Sequence, residues 1–205
     1  MAKLIAIVGN NASGKTTLTK VLCRKGGFTP CFEQHEERPY QKLFSEDLQK
    51  YAFPNQVDFM LYRAEKEIEI RAGEFVGIQD GGLDQDFHLY TRLFHTKAFL
   101  TRKEYDLCQR TYQTLRALLP LPDLIIRLSA PHEVLRQRLL ARNRKIDLEQ
   151  IFTADDLPAL ENYLDEWLTS INPDMVMVVD SSEEDPGFDN ILPDLMARIP
   201  EIPES

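Results

Sequence analysis

At 205 residues, 43% hydrophobic and 28% charged, the chain has the composition of a soluble globular protein, and one domain over 1–205 with a real core is expected. A net charge of −9 lacks the basic footprint of a nucleic-acid polymer binder, and no apolar stretch approaches the ~18 residues of a membrane span. Cys23, Cys31 and Cys108 are odd in number and without metal-ligand spacing, and Lys3 and the motif after it come too early for a signal peptide, so a reduced cytoplasmic setting is expected.

The apolar run Leu4-Ile5-Ala6-Ile7-Val8 makes residues 3–9 a buried parallel strand, and 15–25 reads as a helix ended by Gly26-Gly27. Between them lies Gly9-Asn10-Asn11-Ala12-Ser13-Gly14-Lys15-Thr16-Thr17, the phosphate-loop spacing G-x-x-x-x-G-K-T. Its glycines let consecutive N–H groups turn inward on phosphate oxygens, and the helix adds the positive end of its dipole. Lys15 then serves the β/γ-phosphates and the Thr16 hydroxyl serves Mg²⁺. A nucleoside triphosphate is the expected ligand.

Phe28–Phe32 reads as a second strand with Glu33 at its C-terminal end. Helices follow over Tyr40–Tyr51 and from Pro54, placed as an N-terminal proline, to Arg71. Phe75–Ile78 is the third strand, ending at Gln79-Asp80. Helical spacing then covers 84–98 and 101–118, closed by Pro120 and Pro122. Leu124–Leu128 is the fourth strand, Pro131–Arg142 a helix, 143–152 a charged loop and 153–170 another helix. Met175–Val179 is the fifth strand, Ile191–Arg198 the last helix, and the tail from Pro200 is expected to fray. Strands alternating with helices predict a three-layer α/β fold, a five-stranded parallel sheet covered on both faces. Right-handed crossovers bring the phosphate loop, Glu33 and Asp80 to one edge.

Asp80 closes an apolar strand, where a phosphate-loop enzyme keeps a carboxylate for Mg²⁺, although Asp80-Gly81-Gly82 is also a turn signal. Glu33 is the leading candidate for a base that accepts a hydroxyl proton, with Glu36 and Glu37 as close competitors and three solvated loop charges as the alternative. Arg136, Arg138, Arg142, Arg144 and Lys145 form a cluster suited to neutralising phosphoryl charge. Gln56, Phe59, Met60 and Arg63 fall on one helical stripe, which suits base reading by the amide or a packed core. The four histidines form no ligand pattern, and Trp167 reads as packing.

These residues resemble the deoxynucleoside kinase family of the deoxyadenosine/deoxyguanosine/deoxycytidine group, bacterial type, over about 3–180. The phosphate loop is similar. Phe32 to Tyr40 resembles the segment whose catalytic glutamate lies six residues before Pro39-Tyr40, which favours Glu33 over Glu36 and Glu37. Tyr51–Gln56 is similar to the base-reading segment, with Gln56 at the glutamine. Arg138-Leu139-Leu140-Ala141-Arg142-Asn143-Arg144 matches the lid pattern R-x-x-x-R-x-R, which places a lid at about 138–150, and 157–168 resembles the helix after it. The family's Asp/Glu-Arg-Ser is here Asp80-Gly81-Gly82, its sugar tyrosine falls near Ser45, and its lid glutamate is Asp147.

The resemblance implies ATP- and Mg²⁺-dependent phosphorylation of a deoxynucleoside 5′-hydroxyl by a homodimer. Glu33, Lys15, Arg138, Arg142 and Arg144 then act in catalysis, with Arg138 and Arg142 also on ATP. Gln56, Phe59, Met60, Arg63 and Asp147 contact the acceptor, and Thr16 and Asp80 the metal. Gly81 keeps two alternatives open, a kinase for another small hydroxylated or nucleotide-like acceptor and a nucleotide-binding protein weakened in transfer.

Overall fold

The computed structural model describes residues 2–26, 28–31, 38–141, 151–183, 185 and 187–199, with the side chains of 29–31 left aside. Strands β1 (Leu4–Gly9), β2 (Thr29–Cys31), β3 (Gly77–Asp80), β4 (Leu124–Ser129) and β5 (Val176–Asp180) form one parallel sheet in the order β2-β3-β1-β4-β5. Alternate residues of each strand point to opposite faces. Ile5, Ile7, Leu124, Ile126 and Leu128 meet Leu18 and Leu22 of α1 (Lys15–Gly26) and Leu192 and Leu195 of a C-terminal helix, Leu192–Arg198. Ala6, Val8 and Ile125 meet Leu89, Leu93, Leu160, Leu164 and Trp167 on the other side. Both faces are covered, which is why the strands read as unbroken apolar runs.

Two helices differ from the sequence expectation. Tyr40–Tyr51 is not one helix: α2 (Pro39–Glu46) stops, and α3 (Leu48–Ala72) starts afresh. Asp47 caps the new start by accepting the Lys50 N–H at 3.1 Å. Pro54 therefore lies inside α3, not at its first turn. Its missing N–H orphans the carbonyl of Lys50, an exposed residue where water can take over. The third strand starts at Gly77, while Phe75 is left 65% exposed. A Cβ at 77 would stand 2.3 Å from Ile70 Cγ2, so glycine lets α3 lie directly on β3.

The inward face of α3 carries Arg63, Glu67 and Arg71, all buried. Arg63 pairs with Asp86, Glu67 with Arg116 and Arg71 with Asp123. After β3 come α4 (Leu83–Gln85), a π-helical turn (Asp86–Thr91), α5 (Arg92–Thr96) and α6 (Arg102–Leu118), whose start is a capping box of Thr101 and Glu104. Helix α7 (His132–Ala141) follows β4. Next come α8 (Leu157–Thr169) and the C-terminal helix α9 (Leu192–Arg198). Met175 belongs to a 3-10 turn before β5. Among the described residues, no helix is long and apolar enough to cross a membrane.

Candidate active site

β1 lies between β3 and β4; the connection after β1 runs toward β2 and that after its neighbour β4 runs the other way toward β5, which opens a crevice at the C-terminal edge of the sheet. Gly9 and Asp80 end β1 and β3 there, with Gly9 paired to Leu128 and Ile7 to Asp80. The turn that begins at Gly9 requires glycine. Its φ is +154°, and a Cβ would lie 2.7 Å from the Leu128 carbonyl oxygen.

The phosphate loop is folded around its own polar groups. Lys15 Nζ donates to the carbonyls of Gly9 (3.0 Å) and Asn10 (2.9 Å), and the Asn11 N–H donates to Asn10 Oδ1 at 2.8 Å. The Asn10 amide reaches outward to α8, donating to Leu157 O at 2.8 Å and Glu161 Oε2 at 3.0 Å. The other Glu161 oxygen accepts from Arg127 of β4 at 2.6 Å. Gly14 packs under the Phe188 ring, in the segment after β5.

Thr16 and Asp80 meet as the shared edge requires. The hydroxyl donates to Asp80 Oδ2 at 2.5 Å. Two hard oxygen donors thus converge at the mouth of the loop, a set suited to Mg²⁺ when phosphates complete the shell. Among the described residues there is no cluster of three His, Cys, Asp or Glu side chains that could hold a metal by itself.

Beside Asp80 the stripe on α3 divides. Arg63 is fully buried and donates from Nη1 to the Asp80 carbonyl (2.8 Å) and from Nε to Asp86 Oδ2 (2.9 Å). The Gln56 amide donates to Thr91 Oγ1 at 2.7 Å and lies 3.4 Å from the Asp86 carbonyl. Phe59 is buried close by in sequence, whereas Met60 packs with Leu83, Phe87 and Cys108 in the cluster under α6. Arg138 lies on α7, and its guanidinium donates to the carbonyls of Ser181 (2.6 Å), Ser182 (3.2 Å) and Glu183 (2.9 Å). Glu33, Arg142, Arg144 and Asp147 lie outside the described residues.

The π-helical turn and Gln85, the last residue of α4 just before it, supply supporting contacts that sequence reasoning missed. Asp86 and Thr91 hold Arg63 and Gln56, while Gln85 and Tyr90 reach the phosphate loop. The turn is backed by a buried ionic cluster. Asp84 accepts from Tyr112 (2.8 Å) and Arg116 (3.0 Å), and Arg116 grips Glu67 through two nitrogens. Burial works against the Arg116 charge, but Asp84 and Glu67 hold it above its ordinary range, while burial outweighs Arg116 and raises Glu67. His88 stacks on Trp167 with centroids 5.5 Å apart, and burial lowers its pKa to about 4.

A family model described as deoxynucleoside kinase matches residues 5–202. The deoxyadenosine/deoxycytidine kinase of Bacillus subtilis is 26% identical over 150 residues, 71% of this chain and 68% of that protein. The deoxyadenosine kinase of Dictyostelium discoideum is 29% identical over 168 residues, 82% and 67% of the two chains. Among solved structures, the M. mycoides deoxyadenosine kinase with dCMP and dCDP superposes with a TM-score of 0.80 at 22% identity, over 97% of this chain and 100% of that one. With dATP bound, that enzyme gives 0.78 at 21% identity, over 95% and 99%.

Proposed function

This chain belongs to the deoxynucleoside kinase family, and we propose that it moves the γ-phosphoryl group of ATP to the 5′-hydroxyl of a deoxynucleoside. One observation carries this reading. Arg63 spans from the carbonyl of Asp80, whose carboxylate meets Thr16 at the phosphate loop, to Asp86 beside Gln56. A triphosphate seated on the loop and a base seated at Gln56 are thereby neighbours across one guanidinium.

In the reaction the acceptor hydroxyl loses its proton to Glu33, and its oxygen bonds to the γ-phosphorus as the bridging bond to the β-phosphate breaks and ADP leaves. Gly9 to Thr17 cradle the triphosphate, and Lys15 turns from its loop carbonyls to the β/γ-oxygens. Arg138, Arg142 and Arg144 neutralise charge on the transferring group, with Arg138 also steadying the segment after β5. Gln56, Phe59, Met60, Arg63 and Asp147 hold the acceptor. Thr16 and, directly or through water, Asp80 would hold Mg²⁺, which would offset negative charge on the triphosphate.

A cytoplasmic, ATP-supplied setting suits this chemistry. A homodimer is supported by α3 and α6, which pack together and leave Leu61 and Ile68 of one and Leu107 and Leu118 of the other exposed. A second copy of the same helix pair covers that face, and sedimentation of wild type against Leu61→Glu/Ile68→Glu tests it: the variant should run as a monomer.

The rival reading, a nucleotide-binding protein weakened in transfer, is favoured by one observation, the glycine at 81 beside Asp80. Single-turnover transfer with ATP, Mg²⁺ and a panel of deoxynucleosides separates the two. Wild type should phosphorylate at least one acceptor, and Glu33→Gln should slow the step by about 10²–10⁴-fold with acceptor affinity kept. ATP binding without transfer to any acceptor would establish the rival.

A further inference from the structure

A π-helical turn carries one more residue per turn than its α-helical neighbours, and its altered spacing re-aims side chains that an α-helix would align. The turn at Asp86–Thr91 lies between the two halves of the site, and adjacent residues at each of its ends serve different halves. At its start, Gln85 Oε1 accepts the Gly9 N–H at 2.9 Å, while Asp86 takes Arg63 at 2.9 Å. At its end, the Tyr90 hydroxyl donates to Asn11 Oδ1 at 3.0 Å, while Thr91 accepts from Gln56 at 2.7 Å. The turn is closed on itself, since the Thr91 hydroxyl donates back to the Asp86 carbonyl at 3.0 Å. Gln85 and Tyr90 are 3.5 Å apart through Nε2 and Oη.

We infer that this turn couples the acceptor pocket to the phosphate loop, with Gln85 and Tyr90 as positioning residues for Gly9 and Asn11. The inference rests on the two-site reading above. A base that engages Gln56 competes for the amide now given to Thr91 and the Asp86 carbonyl, so the turn must adjust as the pocket fills. Hydrogen bonds weaken steeply with distance and angle, and a small movement of so short a segment is therefore felt at Gly9 and Asn11. Acceptor and donor should then tighten each other's binding by the same factor.

Calorimetry of β,γ-imido-ATP with Mg²⁺, alone and with saturating deoxyadenosine, deoxyguanosine or deoxycytidine, measures that factor. In wild type the acceptor that binds should tighten the donor by about fivefold or more. Tyr90→Phe keeps the ring against Phe152, at 5.2 Å between centroids, and removes only the hydroxyl. It should cut the tightening to within about twofold while the donor affinity measured alone stays within about threefold. Asn11→Ala should lose the same coupling, and Tyr90→Phe/Asn11→Ala should lose no more than either single change. Undiminished tightening in Tyr90→Phe, additive losses in the double variant, or no tightening in wild type with both ligands bound would each overturn the inference and leave the kinase reading standing. Binding of the ATP analogue with none of the three nucleosides would overturn the acceptor reading and the coupling with it.

Discussion

Nη2 of Arg63 lies 3.1 Å from the point where a Cβ at Gly81 would stand. The buried guanidinium therefore fills the space that a side chain at 81 would enter, and Gly81 itself sits at φ +84°, which L side chains rarely adopt. Gly81→Arg, which restores the arginine of the family pattern, should not add a working cation. It should destabilise the fold by about 1–3 kcal/mol through strain and crowding and raise the acceptor KM. Urea unfolding and steady-state kinetics check both. A more active variant of undiminished stability would refute this packing account.

Lys15→Ala removes the cation that two loop carbonyls hold at 3.0 and 2.9 Å. The fold should survive, because the side chain is only partly buried. Transfer should fall by about 10²–10³-fold, the usual worth of an oriented electrostatic contact at a developing charge. Circular dichroism and single-turnover rates measure the two effects separately, and substantial residual transfer would remove Lys15 from the mechanism.

Gln56→Ala deletes an amide that Thr91 and Asp86 hold in place. A base-edge contact of that kind acts mainly on ground-state binding, so the acceptor KM should rise more than kcat falls. The ranking of adenine, guanine and cytosine deoxynucleosides should also flatten. An unaltered ranking and KM would return Gln56 to a purely structural role.

His88 makes stability depend on acid. Burial lowers its pKa from 6.5 to about 4, so the neutral ring is favoured in the fold and the unfolded chain takes the proton first. Its stabilisation is complete above about pH 6.5, declines as pH falls, and is gone below about 4, a change of about 3 kcal/mol. His88→Gln, which keeps a donor for the Tyr112 hydroxyl, should flatten the stability curve of chemical denaturation between those limits. Parallel curves for the two proteins would assign the acid sensitivity elsewhere.

Much of this site was legible because its signals are local. Gly9, Gly14, Lys15 and Thr16 stand at fixed spacing after an apolar run, and the placement of Asp80 beside Thr16 follows from the handedness of parallel connections. Asp86 and Gln85 were not legible. A polar residue in a helical pattern reads as a solvated face, and what buries it here are partners at Arg63 and Gly9, 23 and 76 residues away. Pro54 misled for a related reason. Its ring fits a first turn, and only the cap at Asp47 reveals that the helix has already begun. Gly77, which ends the outward path of Phe75, answers to Ile70 on another element.

The buried charges of α3 alternate, Arg63, Glu67, Arg71, at intervals of four, and face Asp86, Arg116 and Asp123 in turn. Apolar ridges alone would let a long helix slip along its neighbours by one turn, about 5.4 Å, at modest cost. Here such a slip brings Glu67 toward Asp86 and Arg71 toward Arg116, setting like charges together in a dry interior. The three pairs work as a ratchet with a single permitted notch. Whatever they contribute to net stability, they fix the register of α3, and with it the position of Gln56 relative to the phosphate loop, because a displaced register buries like charges against each other.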